Sequence, residues 1–87
     1  FMNIIQLISI VKKKLQDQIK IENIQVEDKS FLHKNHPGNQ IDKFHLKVIL
    51  KSNELKKMSK IGSSKRVYKI LDYEMKNFIH SLQILID

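Results

Sequence analysis

The sequence predicts an α+β domain in the order helix, strand, strand, short helix, long helix, strand, built on a three-stranded mixed sheet. Three observations carry that prediction. Apolar residues near the start and between residues 67 and 78 recur at three- and four-residue steps, the period of one helix face. Stretches 22–27 and 44–51 alternate apolar with polar residues, as strands do, and the end does the same, with Leu82, Ile84 and Ile86 against Ser81 and Gln83. A length of 87 residues leaves room for one domain, taken as 2–87, without repeat or linker.

Taken in order, Ile4, Ile8, Val11, Leu15 and Ile19 share one helical stripe with Leu7 beside it. Asn3 with Gln6 three residues on has the spacing of a capping box, and the helix should end near Gln18 to Lys20. Its apolar stripe suits core packing better than a membrane surface, because so short a chain needs every apolar face. Ile24 and Val26 alternate with Gln25 and Glu27 in a first strand over 22–27. Residues 28–42 are rich in turn formers, with Pro37-Gly38 the strongest breaker.

In the second strand, Phe44 to Lys51, Phe44, Leu46, Val48 and Leu50 face one way and His45 and Lys47 the other. His45 is therefore expected as a surface or edge side chain, and the strand should run antiparallel to the first. Ser52-Asn53 offers a cap for a short helix around Glu54 to Lys57. Gly62-Ser63-Ser64 then reads as a break, with Ser63 or Ser64 capping a long helix. Its inner stripe is Val67, Ile70, Leu71, Glu74, Met75 and Phe78, apolar except for Glu74. A strand–helix–strand connection should bring the last strand in parallel with another, by a right-handed crossover.

Composition narrows the function. With no cysteine there is no disulfide, no thiolate nucleophile and no cysteine-type zinc finger, which fits a reducing, cytoplasmic setting. The formal charge of +7 admits nucleic acid, an anionic membrane or an acidic protein as partner. Arg66 is the only arginine, and the lysine, isoleucine and asparagine usage resembles that of an AT-rich genome, so part of the charge carries no functional meaning. The apolar run Ile4 to Val11 precedes Lys12, Lys13 and Lys14, the wrong order for a signal peptide, and falls short of the roughly 20 residues of a membrane span. No membrane association is expected. Phe1, ahead of Met2, is left out of fold reasoning.

No enzyme constellation is present: two glycines, no HExxH, and no reason to pair any serine with a histidine, so a non-enzymatic protein is expected. His80 stands where the helical period gives way to alternation, held between two regular elements. Such a histidine can ligate a metal, or simply interact with the last carbonyls of its helix. His33 and His36 form HxxH in the long loop, a weak metal signal where no cysteine completes a site.

The element order is that of class II KH-like domains, which hold a nucleic-acid backbone at a GxxG turn between helices. Here Met58 to Ser64 contains Gly62 alone. Lys56, Lys57, Lys60 and Lys65 could contact phosphates, but with one arginine bidentate readout of guanine is almost absent. Binding there would be salt-sensitive and poorly sequence-specific, and a solvated basic face is the simpler reading.

Four segments in order carry a family resemblance: VEDKSFLH (Val26 to His33), FHLKVILKS (Phe44 to Ser52), RVY (Arg66 to Tyr68) and IHSLQI (Ile79 to Ile84). They resemble the BolA family patterns V-x-D-x-S-x-x-H, T-H-F-K-V-x-[IVL]-x-S, R-H-R-x-V-Y and [IV]-H-A-L, over almost the whole chain. The resemblance implies a single BolA-like domain of the fold described above. It also implies a heterodimer with a monothiol glutaredoxin of the Cys-Gly-Phe-Ser type, sharing a 2Fe–2S cluster with that partner and glutathione, in iron–sulfur cluster trafficking or iron regulation. Alone, the chain would hold no cofactor and be a monomer or weak homodimer. The family's C-terminal histidine ligand falls on His80. The loop ligand falls on His33, as in the histidine subgroup, with His36 nearby.

Such a cluster takes four ligands, usually thiolates. A chain without cysteine could supply one or two imidazoles, which makes ligation proton-sensitive and suits transfer or sensing. Some family members are described as transcriptional regulators, so the alternative is DNA contact through Lys56, Lys57, Lys60, Lys65 and Arg66. The departures fall mostly there. The family's R-H-R reads Ser63, Ser64, Lys65, the glycine of F-x-G-K/R-S is Lys57, and the phenylalanine of T-H-F is Leu46 beside a retained His45.

Overall fold

Asn3 opens the first helix with both halves of a capping box: its Oδ1 accepts from the Gln6 amide at 2.8 Å, and Gln6 Oε1 accepts from the Asn3 amide at 3.3 Å. In the computed structural model, which describes residues 2–30 and 43–87, this helix is α1 (Ile4–Gln18), and it buries Leu7, Val11 and Leu15. Ile19 adopts extended backbone and ends it.

The chain then forms β1 (Asn23–Asp28), β2 (Phe44–Lys51), α2 (Asn53–Lys56), α3 (Lys60–Ile70), α4 (Asp72–Asn77) and β3 (Ile79–Ile86). β2 is the central strand of the three-stranded sheet, antiparallel to β1 and parallel to β3. The expected mixed α+β sheet is the observed one. Alternation along β2 and β3 sends Leu46, Val48, Leu50 and Leu82 into one core with Leu7, Val11, Leu15, Val67 and Leu71. Each such side chain contributes about 1.5–3 kcal/mol over its exposed state.

Two polar side chains fasten this framework. Ser52 accepts from the Leu55 amide at 3.1 Å to cap α2 and donates to the Lys20 carbonyl at 2.8 Å, joining the end of β2 to the exit of α1. Glu74, the polar residue on the predicted stripe, is 3% exposed, and its Oε2 lies 2.7 Å from Lys14 Nζ, tying α4 to α1. Its Oε1 has no hydrogen-bond partner among the described residues.

Gly62-Ser63-Ser64 is not a break. All three residues lie inside α3, whose cap is Ser59, accepting from the Gly62 amide at 3.0 Å. Ser63 is buried, and its hydroxyl donates to the Lys60 carbonyl at 3.0 Å, the back-bonding that lets serine sit within a helix. The glycine serves the cap: a Cβ at Gly62 would come within 2.9 Å of Ser59 Oγ. The predicted long helix is two helices, separated at Leu71 (φ −96°, ψ 18°). Hydrogen bonds still run through the joint, from the Leu71 amide to Val67 O at 3.1 Å and from the Met75 amide to Leu71 O at 2.8 Å. Leu71 is fully buried at this joint.

His33, His36 and Pro37-Gly38 lie outside the described residues. Among the described residues no helix is long and apolar enough to cross a membrane.

Candidate functional site

A strand with a two-residue period cannot send both Ile79 and Leu82 into one core, yet both are buried. The register explains it. Phe44 pairs with Ile79, but the next residue, His45, pairs with Ser81, so β3 carries one extra residue, His80, at a bulge. His80 and Ser81 consequently both leave the core side, and both flank His45.

The three side chains connect. His45 Nδ1 lies 2.6 Å from Ser81 Oγ, and His45 Nε2 lies 3.2 Å from His80 Nδ1. The two imidazoles meet edge to face, centroids 4.8 Å apart at 77°. The His45 backbone is held as well: its amide donates to Ser30 Oγ at 3.1 Å, and its carbonyl accepts from the Lys29 amide at 2.7 Å. Segments following β1, on β2 and opening β3 thus converge on one residue.

His45 is 4% exposed, which corrects the expectation of a surface or edge side chain. β2 has neighbours on both sides, and the bulge sets His80 and Ser81 beside the ring. His80 itself is exposed, one residue inside β3 rather than ahead of it. Its Nδ1 is engaged by His45, which leaves Nε2 as the outer nitrogen. The sequence reading missed His45 and Ser81 as partners of His80. The available signal was the three-residue spacing of Ile79 and Leu82 within an alternating stretch. Among the described residues no three His, Asp or Glu side chains gather into a complete metal site. The arrangement can offer one imidazole at His80, so a metal group held there would need ligands from elsewhere.

The basic candidates lie at the opposite end of the α2–β3 connection. Lys56, Lys57, Lys60 and Lys65 are exposed around the α2–α3 turn and form no ion pair among the described residues. Beside them lies a groove of about 380 Å³ lined by Leu55, Met58, Ile84 and Ile86, with Lys56 and Lys60 also on its wall. Arg66 is separated from this group by its bonds. It pairs with Glu54 and donates to the Gln18 carbonyl at 3.0 Å, linking α3 to α2 and to the end of α1. The Arg66 hydrogen bond, with help from the Lys20 amide, holds the Glu54 carboxyl below its ordinary range. Of the five basic residues read as DNA contacts, Arg66 is therefore occupied in holding the fold.

With this geometry in place, comparison with known proteins gives a consistent result. The family model described as "BolA-like protein" matches residues 15–86. The DNA-binding transcriptional regulator BolA of Haemophilus influenzae is 27% identical over 75 residues, spanning 86% of this chain and 70% of that protein. BolA1 from Arabidopsis thaliana superposes with a TM-score of 0.79 at 26% identity, covering 100% of this chain and 93% of that one. The BolA domain of SufE1 from the same plant gives a TM-score of 0.79 at 22% identity, with 100% and 94% covered.

Proposed function

The chain belongs to the BolA-like family, and from that premise we propose that it is a non-enzymatic adaptor that pairs with a monothiol glutaredoxin and shares a 2Fe–2S cluster. One observation carries the proposal. His80 is exposed on a bulge between two buried residues, Ile79 and Leu82, with its Nδ1 engaged by the buried His45.

The donor set fits a shared cluster and not a resident one. A 2Fe–2S cluster takes four ligands, usually thiolates, and this chain has no cysteine. His80 supplies one imidazole, and His33, with His36 as the alternative, supplies the second from the sequence between β1 and β2. The sulfur ligands come from the partner's cysteine and glutathione. When bound, the cluster supplies electron-transfer or cluster-donor chemistry. The chain's own residues fix one ligand in place on the sheet and, through neutral nitrogen donors, make its hold on the group proton-sensitive. The cytoplasm, where thiols stay reduced, suits such a partnership.

Visible absorption and circular dichroism of the chain mixed with a cluster-bearing Cys-Gly-Phe-Ser glutaredoxin test the proposal. The expected spectrum differs from that of the glutaredoxin homodimer and reverts in His80→Ala, while His33→Ala and His36→Ala identify the loop ligand. No complex and an unchanged spectrum would overturn it.

A second reading, DNA-binding regulation, is favoured by the exposed lysines of the α2–α3 turn. Each phosphate neutralised contributes about 0.9 to the slope of log affinity against log salt. Replacing Lys56, Lys57, Lys60 and Lys65 together by alanine should then flatten that slope by roughly 3 to 4. A slope that does not change removes these lysines from the interface.

A further inference from the structure

We propose that the outer edge of β3 and the groove beside it dock an extended acidic protein segment with apolar residues at alternate positions, bound as an added strand. The proposal does not rest on His80 and goes beyond the cluster reading. The sheet order β1-β2-β3 leaves β3 with a strand on one side only among the described residues. Two hydrogen bonds just past its end show which peptide groups face outward. The Asp87 amide donates to the Leu50 carbonyl at 2.7 Å, and the Asp87 carbonyl accepts from the Ser52 amide at 3.4 Å. Asp87 therefore turns its peptide groups toward β2, and by alternation Gln83 and Leu85 do too. Leu82, Ile84 and Ile86 turn theirs away from the sheet. The Tyr68 hydroxyl agrees with this sense, donating to the Leu82 carbonyl from α3 at 2.8 Å.

Tyr68 thus closes the edge at Leu82 and leaves the part from Ile84 to Ile86, which borders the groove of about 380 Å³. Half-buried Ile84 and Ile86 form one wall, and Leu55 with the exposed Met58 forms the other. A strand added here would exchange backbone hydrogen bonds with Ile84 and Ile86, and every second side chain would enter the groove. Charge selects the occupant. Lys56 and Lys60 stand on the groove wall with Lys57 and Lys65 nearby, all exposed and without ion pairs among the described residues. Lysines along an edge repel a second copy of a chain whose formal charge is +7, and they attract carboxylates. Single-stranded nucleic acid matches less well, because the described lining holds no aromatic ring on which a base could stack.

The test uses the whole chain, labelled with ¹⁵N, at low salt, and as probe a capped peptide of about seven residues alternating glutamate and valine. The peptide should shift the Ile84 and Ile86 amides in ¹H–¹⁵N spectra and slow their hydrogen exchange, while Gln83 and Leu85, already facing β2, move less. Of two versions of the peptide, N-methylated at every valine or at every glutamate, at least one should lose binding, because only alternate N–H groups face β3. Lys56→Ala combined with Lys60→Ala, both at exposed positions, should weaken binding roughly 3- to 10-fold.

No shift at Ile84 and Ile86 up to about 1 mM peptide, unchanged affinity in the double lysine variant, or equal binding of a peptide alternating lysine and valine would each overturn the inference. So would protection of Ile84 and Ile86 that grows with chain concentration and needs no peptide, which assigns the edge to a second copy. Tighter binding there of a thymidine oligomer of equal length assigns the groove to single-stranded nucleic acid and overturns it as well. The cluster experiment is read at His80, at the other end of β3, so either result leaves the other standing.

Discussion

The two polar ends of the α2–β3 connection are built in opposite ways. At the β3 bulge, His80, His45 and Ser81 come from two strands and are held by one another, at 3.2 and 2.6 Å, over a buried ring. At the α2–α3 turn, four lysines stand in solvent without ion pairs among the described residues, and the one arginine is engaged by Glu54 and the Gln18 carbonyl. A directional ligand needs the first kind of site, since a lone pair must point one way. A diffuse anion needs only the second, since charge acts over the screening distance of about 8–10 Å at ordinary salt. Charge count alone would have favoured the lysines; order favours the histidines.

The contrast can be broken most strongly from below the bulge. Ile79→Ala removes a fully buried side chain that anchors it, and should cost about 2–5 kcal/mol in denaturant unfolding while loosening the His45–His80 contact seen by NMR. Arg66→Ala should cost about 1 kcal/mol through the lost hydrogen bond to the Gln18 carbonyl, and it also removes the ion pair to Glu54. Lys60→Ala nearby should stay within about 0.5 kcal/mol, and equal losses for the two would erase the distinction between a structural arginine and free lysines. Ser59→Ala removes the α3 cap and should cost about 1 kcal/mol, read from the same unfolding curves.

The smallest effect is in acid. Glu54 has its carboxyl lowered in the folded state, so the unfolded chain takes up that proton first. The contribution of Glu54 is present above the ordinary carboxylate range and fades as pH falls through that range toward the lowered value. A pH series of unfolding should show this acid-side slope in the wild type and a shallower one in Arg66→Gln.

The element order, the antiparallel and parallel pairings and the placement of His80 near the start of β3 were legible because each rests on local periodicity. What escaped depends on distant neighbours. Alternation put His45 opposite Leu46, correctly, but alternation says nothing of what covers that face. Ser59 was passed over as a cap because Gly62-Ser63-Ser64 carries the stronger turn composition, which the Ser63 back-bond and the Ser59 cap absorb within α3. Glu74 looked like a flaw in an apolar stripe until Lys14 arrived from α1. His33 and His36 lie outside the described residues.

The sequence separation of the contacts around His45 has a kinetic consequence. Ser30 and His45 are 15 residues apart, whereas His45 and His80 are 35 apart and meet only through a parallel pairing. The loop-closure difference is small, under about 1 kcal/mol, but parallel pairing must wait for α2, α3 and α4 to dock against the sheet. The β1–β2 hairpin is the natural early structure, and the histidine pair is completed late. Any excursion that detaches β3 dissolves the pair while the hairpin survives. Amide exchange at the start of β3 should accordingly proceed through detachment of that strand, faster than exchange within the β1–β2 pairing, so that the histidine pair exists only in chains that have finished folding.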